Sequence, residues 1–180
     1  MSSKRETLYI AIVSVVVLLT TFFAVFFAIV KPKIKSTGMK TLSNRGLNLI
    51  KRLEGLELTA YKCSAGVPTI GYGHTKGVKM GDTCTEEQAE EWLKQDVKWA
   101  ETAVNRQNLR ISQNQFDALV SFVFNMGEPE FLRSTLLRKI KANPDDPTIA
   151  DEFARWKYAG GVVVTGLVNR RTAESNLYFA

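Results

Sequence analysis

The hydropathy pattern is dominated by one uninterrupted apolar run over residues 8–30, 23 residues without a charge, a glycine or a proline. A helix of that length, at about 1.5 Å rise per residue, covers about 34 Å, enough to cross the hydrocarbon core of a bilayer. Its polar exceptions, Tyr9, Ser14, Thr20 and Thr21, make no polar face, which argues against a helix buried in a soluble core. The run is too long for the apolar part of a cleaved signal peptide, and Phe26, two residues before Ala28, spoils the small-x-small site that cleavage needs. The pattern predicts a short basic tail over residues 1–7, a transmembrane signal anchor over 8–30 and a basic linker over 31–42 broken by Pro32 and Gly38. A folded domain follows over 43–180.

Within that domain the period changes twice. Leu47, Ile50 and Leu53 recur at helical spacing behind a Ser43 cap, predicting a helix over 44–54 that stops at Gly55. Residues 56–80 are glycine-rich and β-branched, which predicts two or three small antiparallel strands, with Pro68 at the start or edge of one. Helical spacing returns at Thr85, where TEEQ reads as a capping box; Ala89, Trp92, Leu93, Ala100 and Val104 make one face of the helix behind it. A second box, SQNQ at 112–115, precedes FDALVSFVFNMG, apolar nearly all round and so a central, buried helix. Shorter helices are expected near 134–142 and 149–157, and a last one over 167–178 after a 160–166 loop. The fold class is α+β: a small antiparallel sheet beside a mostly helical lobe, with a cleft between them, preceded by one transmembrane helix.

Charge and cysteine content narrow the chemistry. The net charge is +6, from 24 Lys and Arg against 18 Asp and Glu, which suits anionic partners. The cations are scattered rather than gathered on a helix with interleaved aromatics, so nucleic-acid binding is not expected. Cys63, Cys84 and the lone His74 cannot complete a zinc set. Neither a metal nor a cofactor is called for.

The informative stretch runs from Glu54 to His74. Glu54 closes the first helix; Cys63 follows in the strand region, then Thr69 inside VPTIGYGHT. This E-x8-C-x5-T spacing followed by GYGHT resembles the phage-type lysozymes of glycoside hydrolase family 24, in which Glu, Asp or Cys, and Thr stand at these places. QFDALVSFVFNMG, STLLRKI, RWKYAGG and GLVNRR extend the resemblance over about residues 44–178. It implies a lysozyme fold and hydrolysis of β-1,4 bonds between N-acetylmuramic acid and N-acetylglucosamine in peptidoglycan, causing host lysis and phage release. Such hydrolysis needs a proton donor for the leaving oxygen and a group that delivers water. By resemblance Glu54 is the acid, and Cys63 with Thr69 positions or activates the water, with inversion; a covalent role for Cys63, or a merely structural one, is also open. Thr69 could otherwise be an ordinary strand residue. His74 is expected to be structural, bonded to a neighbouring acid. Arg170 is expected beside the catalytic Glu, and Phe124 and Thr135 along the substrate cleft.

The resemblance also implies a protein of the host inner membrane, single-pass through residues 8–30, acting as a monomer with its domain in the periplasm. Flanking charge alone argues otherwise, because Lys31, Lys33, Lys35 and Lys40 outnumber Lys4 and Arg5; a signal-anchor role would have to override that bias. Some relatives leave the membrane and refold, but their anchors contain Gly and Ala, whereas this one is rich in Val, Phe, Leu and Ile. A Cys63–Cys84 disulfide that cages the catalytic thiol is a candidate timing device, with two free thiols as the alternative. A wall-binding module that has lost catalysis, and a holin-like membrane disruptor, remain the alternative classes.

Overall fold

The structure is a computed structural model that describes residues 38–180, and the expected anchor lies outside those residues. Among the described residues no helix is long and apolar enough to cross a membrane.

The first helix, α1 (Asn44–Glu54), starts where Ser43 accepts a hydrogen bond from the Gly46 amide. It ends because Gly55 turns to φ 78°, a conformation that costs glycine nothing. The chain enters β1 (Glu57–Lys62), which pairs antiparallel with β2 (Pro68–Gly71). Pro68 opens its strand, where a missing N–H is tolerated. Single bridges, Thr59 to Thr83 and Ile70 to His74, extend this small sheet. Gly71 carries β2 against the next helix, since a β-carbon there would meet Ala89 Cβ at 2.9 Å.

The long helix expected from Thr85 is instead two: α2 (Glu86–Asp96) and α3 (Lys98–Asn105). The break falls at Val97, which is buried and caps both; the tight Ala100 N–H to Val97 C=O bond of 2.9 Å turns the axis there. Next comes α4 (Gln113–Met126), whose Phe116, Ala118, Leu119, Val120, Phe122 and Val123 are all buried. It is the hub of the core, packed by α1 and α3 and by the last helix. After it run α5 (Glu128–Arg133), α6 (Thr135–Ala142), α7 (Ile149–Ala154) and α8 (Thr165–Tyr178). Phe122 sits edge-on to Phe131, Phe153 and Trp156 at 5.5–6.3 Å, a favourable arrangement for aromatic rings.

Two further elements differ from expectation. The expected 160–166 loop gives way to a hairpin that starts before it, β3 (Tyr158–Ala159) with β4 (Val162–Val163), and to α8 from Thr165. Gly160 and Gly161, both at positive φ, make the two-residue turn that such hairpins favour. The helix α5 begins at Glu128 with Pro129 in its first turn, where proline suits the geometry.

Candidate active site

Glu54 is placed by both ends of α1. At the start, buried Asp117 of α4 accepts from the Ser43 amide at 3.0 Å and from the Ser43 hydroxyl. Gly46 lets the helices close, because a β-carbon there would lie 2.7 Å from Asp117 Cβ. Near the end, Lys51 binds Glu90 at 2.8 Å and Glu86 at 3.3 Å and lies over the Tyr72 ring, fastening α1 to α2. The Glu54 side chain, 24% exposed, emerges where helix gives way to sheet.

Its carboxylate accepts a 2.6 Å hydrogen bond from Arg170 Nη2, across 116 residues of sequence. Arg170 is buried on α8. On the other side, Gly73, at φ 94°, brings its backbone beside the carboxylate, with a β-carbon position 3.9 Å from Glu54 Oε2.

Cys63 and Thr69 come together at the far end of the sheet. The Cys63 amide donates to the Val67 carbonyl at 3.0 Å, and the Gly66 amide to the Cys63 carbonyl at 2.8 Å, closing a tight turn between the strands. Thr69 is buried, and its hydroxyl donates to the Val67 carbonyl at 2.9 Å. The thiol is held below its ordinary range by the Val67 backbone first, then the Ala65 backbone and the Thr69 hydroxyl, which together favour the thiolate.

His74 Nδ1 lies 2.8 Å from Asp96 and Nε2 3.1 Å from the Lys76 carbonyl, while the ring stacks on Trp92 at 4.9 Å. Both ring nitrogens are occupied by structural partners, and the Ile70–His74 bridge uses both of the histidine's backbone groups. The residue therefore pins the turn that carries Gly73 beside Glu54.

Phe124 packs its half-buried ring against Trp99 at 6.2 Å. Thr135 opens α6 and accepts from Arg138 at 2.8 Å; it lines a groove with Glu130, Arg133, Glu152, Arg155 and Trp156. The structure brings neither into contact with Glu54.

The two cysteines are free thiols. The Cys84 amide bonds the Leu58 carbonyl at 3.0 Å, so Cys84 faces the start of β1, whereas Cys63 follows its end. Five residues of extended chain separate the two places by roughly 15 Å, beyond the roughly 7 Å limit for Cα atoms joined by a disulfide. Of the two alternatives, a Cys63–Cys84 bridge or two free thiols, this structure holds the free thiols. Burial also pushes the Cys84 thiol up, so Cys63 is the more readily ionised.

Sequence reasoning missed a set of buried polar residues behind Arg170. Glu174 lies one turn along α8, within 3.4 Å of Arg170 Nε and 2.9 Å of Arg171 Nε, and accepts from Ser121 of α4 at 2.8 Å. The spacing R-R-x-x-E in 170–174 is the only trace these contacts leave in the sequence.

The family model "Phage lysozyme" matches residues 51–174. An endolysin of Acyrthosiphon pisum secondary endosymbiont phage 1 is 43% identical over 142 residues, spanning 76% of this chain and 97% of its own. A SAR-endolysin of bacteriophage PS119 is 39% identical over 127 residues, 69% of this chain and 75% of that one. Among solved structures, an endolysin from Escherichia coli O157:H7 phage FAHEc1 superposes with a TM-score of 0.73 at 42% identity, covering 78% of this chain and 94% of that one.

Proposed function

The chain belongs to the phage lysozyme family and is a glycoside hydrolase of the lysozyme type, and from that premise we propose that Glu54, Cys63 and Thr69 carry its chemistry on peptidoglycan. The bond cleaved is the β-1,4 linkage between N-acetylmuramic acid and N-acetylglucosamine. The observation that carries the proposal is the 2.6 Å contact from Arg170 to Glu54, which holds a single half-buried carboxylate at the junction of sheet and helical lobe.

Glu54 protonates the glycosidic oxygen as the bond to the anomeric carbon breaks. A water on the opposite face of the sugar attacks that carbon and loses its proton toward Cys63, with inversion. The turn that lowers the thiol from its ordinary value supports this role, since it moves Cys63 in the direction a base needs. Thr69, beside the Cys63 thiol, presents its hydroxyl to orient the same water. Phe124 and Thr135 line the path of the glycan strand, and His74 keeps the Gly73 turn in place.

The second half of the proposal concerns location. Residues 8–30 anchor the chain in the inner membrane with the domain in the periplasm, supported by the length and polarity of that run and by SAR-endolysin relatives. The test is product chemistry. Digestion of purified walls should release new reducing ends at muramic acid, read by borohydride reduction and mass spectrometry. Free amino groups or N-terminal alanine without reducing ends would mean that another wall bond is cut.

A further inference from the structure

Behind Arg170 lies a second carboxylate that this mechanism leaves unused. Glu174 is completely buried on α8. Its Oε1 accepts from Ser121 Oγ at 2.8 Å and Arg171 Nη2 at 3.1 Å, and lies 3.4 Å from Arg170 Nε. Its Oε2 faces Arg171 Nε at 2.9 Å. Arg171 is anchored in turn by Asn125 at 2.9 Å and by the face of Phe122. Arg170 thus donates to Glu54 from Nη2, while its Nε, buried without a hydrogen-bond acceptor, lies in ion-pair contact with Glu174.

That sharing has a chemical consequence. A general acid must carry a proton, and a cation fixed 2.6 Å from its oxygen opposes protonation. A second guanidinium, that of Arg171, lies in the same buried cluster. Without a counter-anion, both cations would bear on Glu54 in a medium that screens charge poorly.

We infer that Glu174 is a positioning residue for catalysis: it shares Arg170 with Glu54, fixing the direction of the guanidinium and offsetting its charge at the catalytic carboxyl. The inference rests on the reading of Glu54 as the general acid. Burial pushes Glu174 up to about 7, against the lowering effect of Arg171 and Arg170. Other elements supply little that competes. Ser121 and Asn125 of α4 are neutral, Glu152 of α7 pairs with Lys139 and Arg155, and Arg45 and Arg52 of α1 line an outer groove against Ala173 and Leu177.

The experiment is the pH profile of kcat/KM for wall hydrolysis by the full-length chain, in wild type, Glu174→Gln, Ser121→Ala and Glu54→Gln. Glu174→Gln keeps the shape and removes the charge, so its alkaline limb should move at least about half a pH unit lower. Ser121→Ala removes one donor to the Glu174 anion and should move the limb the same way by less. Should Glu174→Gln fail to fold, Ser121→Ala decides. A purely structural role would lower Tm or amplitude and leave both limbs in place, overturning the inference while the inactivity of Glu54→Gln still stands. Activity in Glu54→Gln would instead remove the general-acid reading and this inference with it.

Discussion

Replacing Asp117 with alanine removes the group that holds the start of the helix bearing Glu54. Asp117 is wholly buried and accepts from the Ser43 amide at 3.0 Å, from the Ser43 hydroxyl, and from Gln113 Nε2 at 2.8 Å. Hydrogen bonds to a charged group contribute roughly 1.5–3 kcal/mol each, and donors stranded in a buried place add to the cost. Ser43 and Gln113 are partly open to water and recover some of that loss, so a total near 3 kcal/mol is the reasonable expectation. For a unit of this size each kcal/mol lowers Tm by roughly 4 °C, which puts the fall near 12 °C. Asp117→Asn keeps the volume and one acceptor and should lose about half as much. Thermal unfolding of the full-length chain, followed by circular dichroism at 222 nm in mild detergent, measures both. A fall below about 4 °C for Asp117→Ala would refute the claim that this buried carboxylate organises the start of α1.

Other outcomes follow from the same geometry. Cys63→Ala should lower wall lysis at least tenfold, while Cys63→Asp, which restores an ionised oxygen, should retain most of it; full activity in both would remove Cys63 from the mechanism. The lowered Cys63 thiol should react with iodoacetamide at lower pH and faster than Cys84, as read by peptide mass spectrometry. Protease added to intact spheroplasts should digest the domain of the anchored chain, and protection would contradict a periplasmic location.

Much of this architecture was legible in local sequence. Thr85 and Ser112 form the capping boxes their spacing predicts, each with its reciprocal pair of hydrogen bonds, because capping chemistry involves only residues three apart. The buried run of α4 was equally plain. The break at Val97 was not, because the helical period continues through it and only packing forces the turn. The hairpin at 158–163 carried a signal, Gly-Gly between β-forming residues, but its strands are two residues each and fall below what alternation can reveal. At the site, Glu54 and Arg170 came from motif resemblance, not from any physical rule linking positions 116 residues apart. Glu174 and Ser121 were invisible for that reason, since a buried network is defined by which helices meet. The cysteines show the converse case. Two thiols 21 residues apart leave a bridge and two free thiols both open, and only the strand register places them at opposite ends of β1.

The most direct measurement is wall lysis by Glu54→Gln. The substitution keeps the size of the side chain and removes the transferable proton. Purified full-length wild type should clear a suspension of Gram-negative walls, and Glu54→Gln, with an unchanged circular dichroism spectrum, should clear it at least about 100-fold more slowly. Clearing by Glu54→Gln within threefold of the wild-type rate would contradict the assignment of Glu54 as the acid that breaks the glycan.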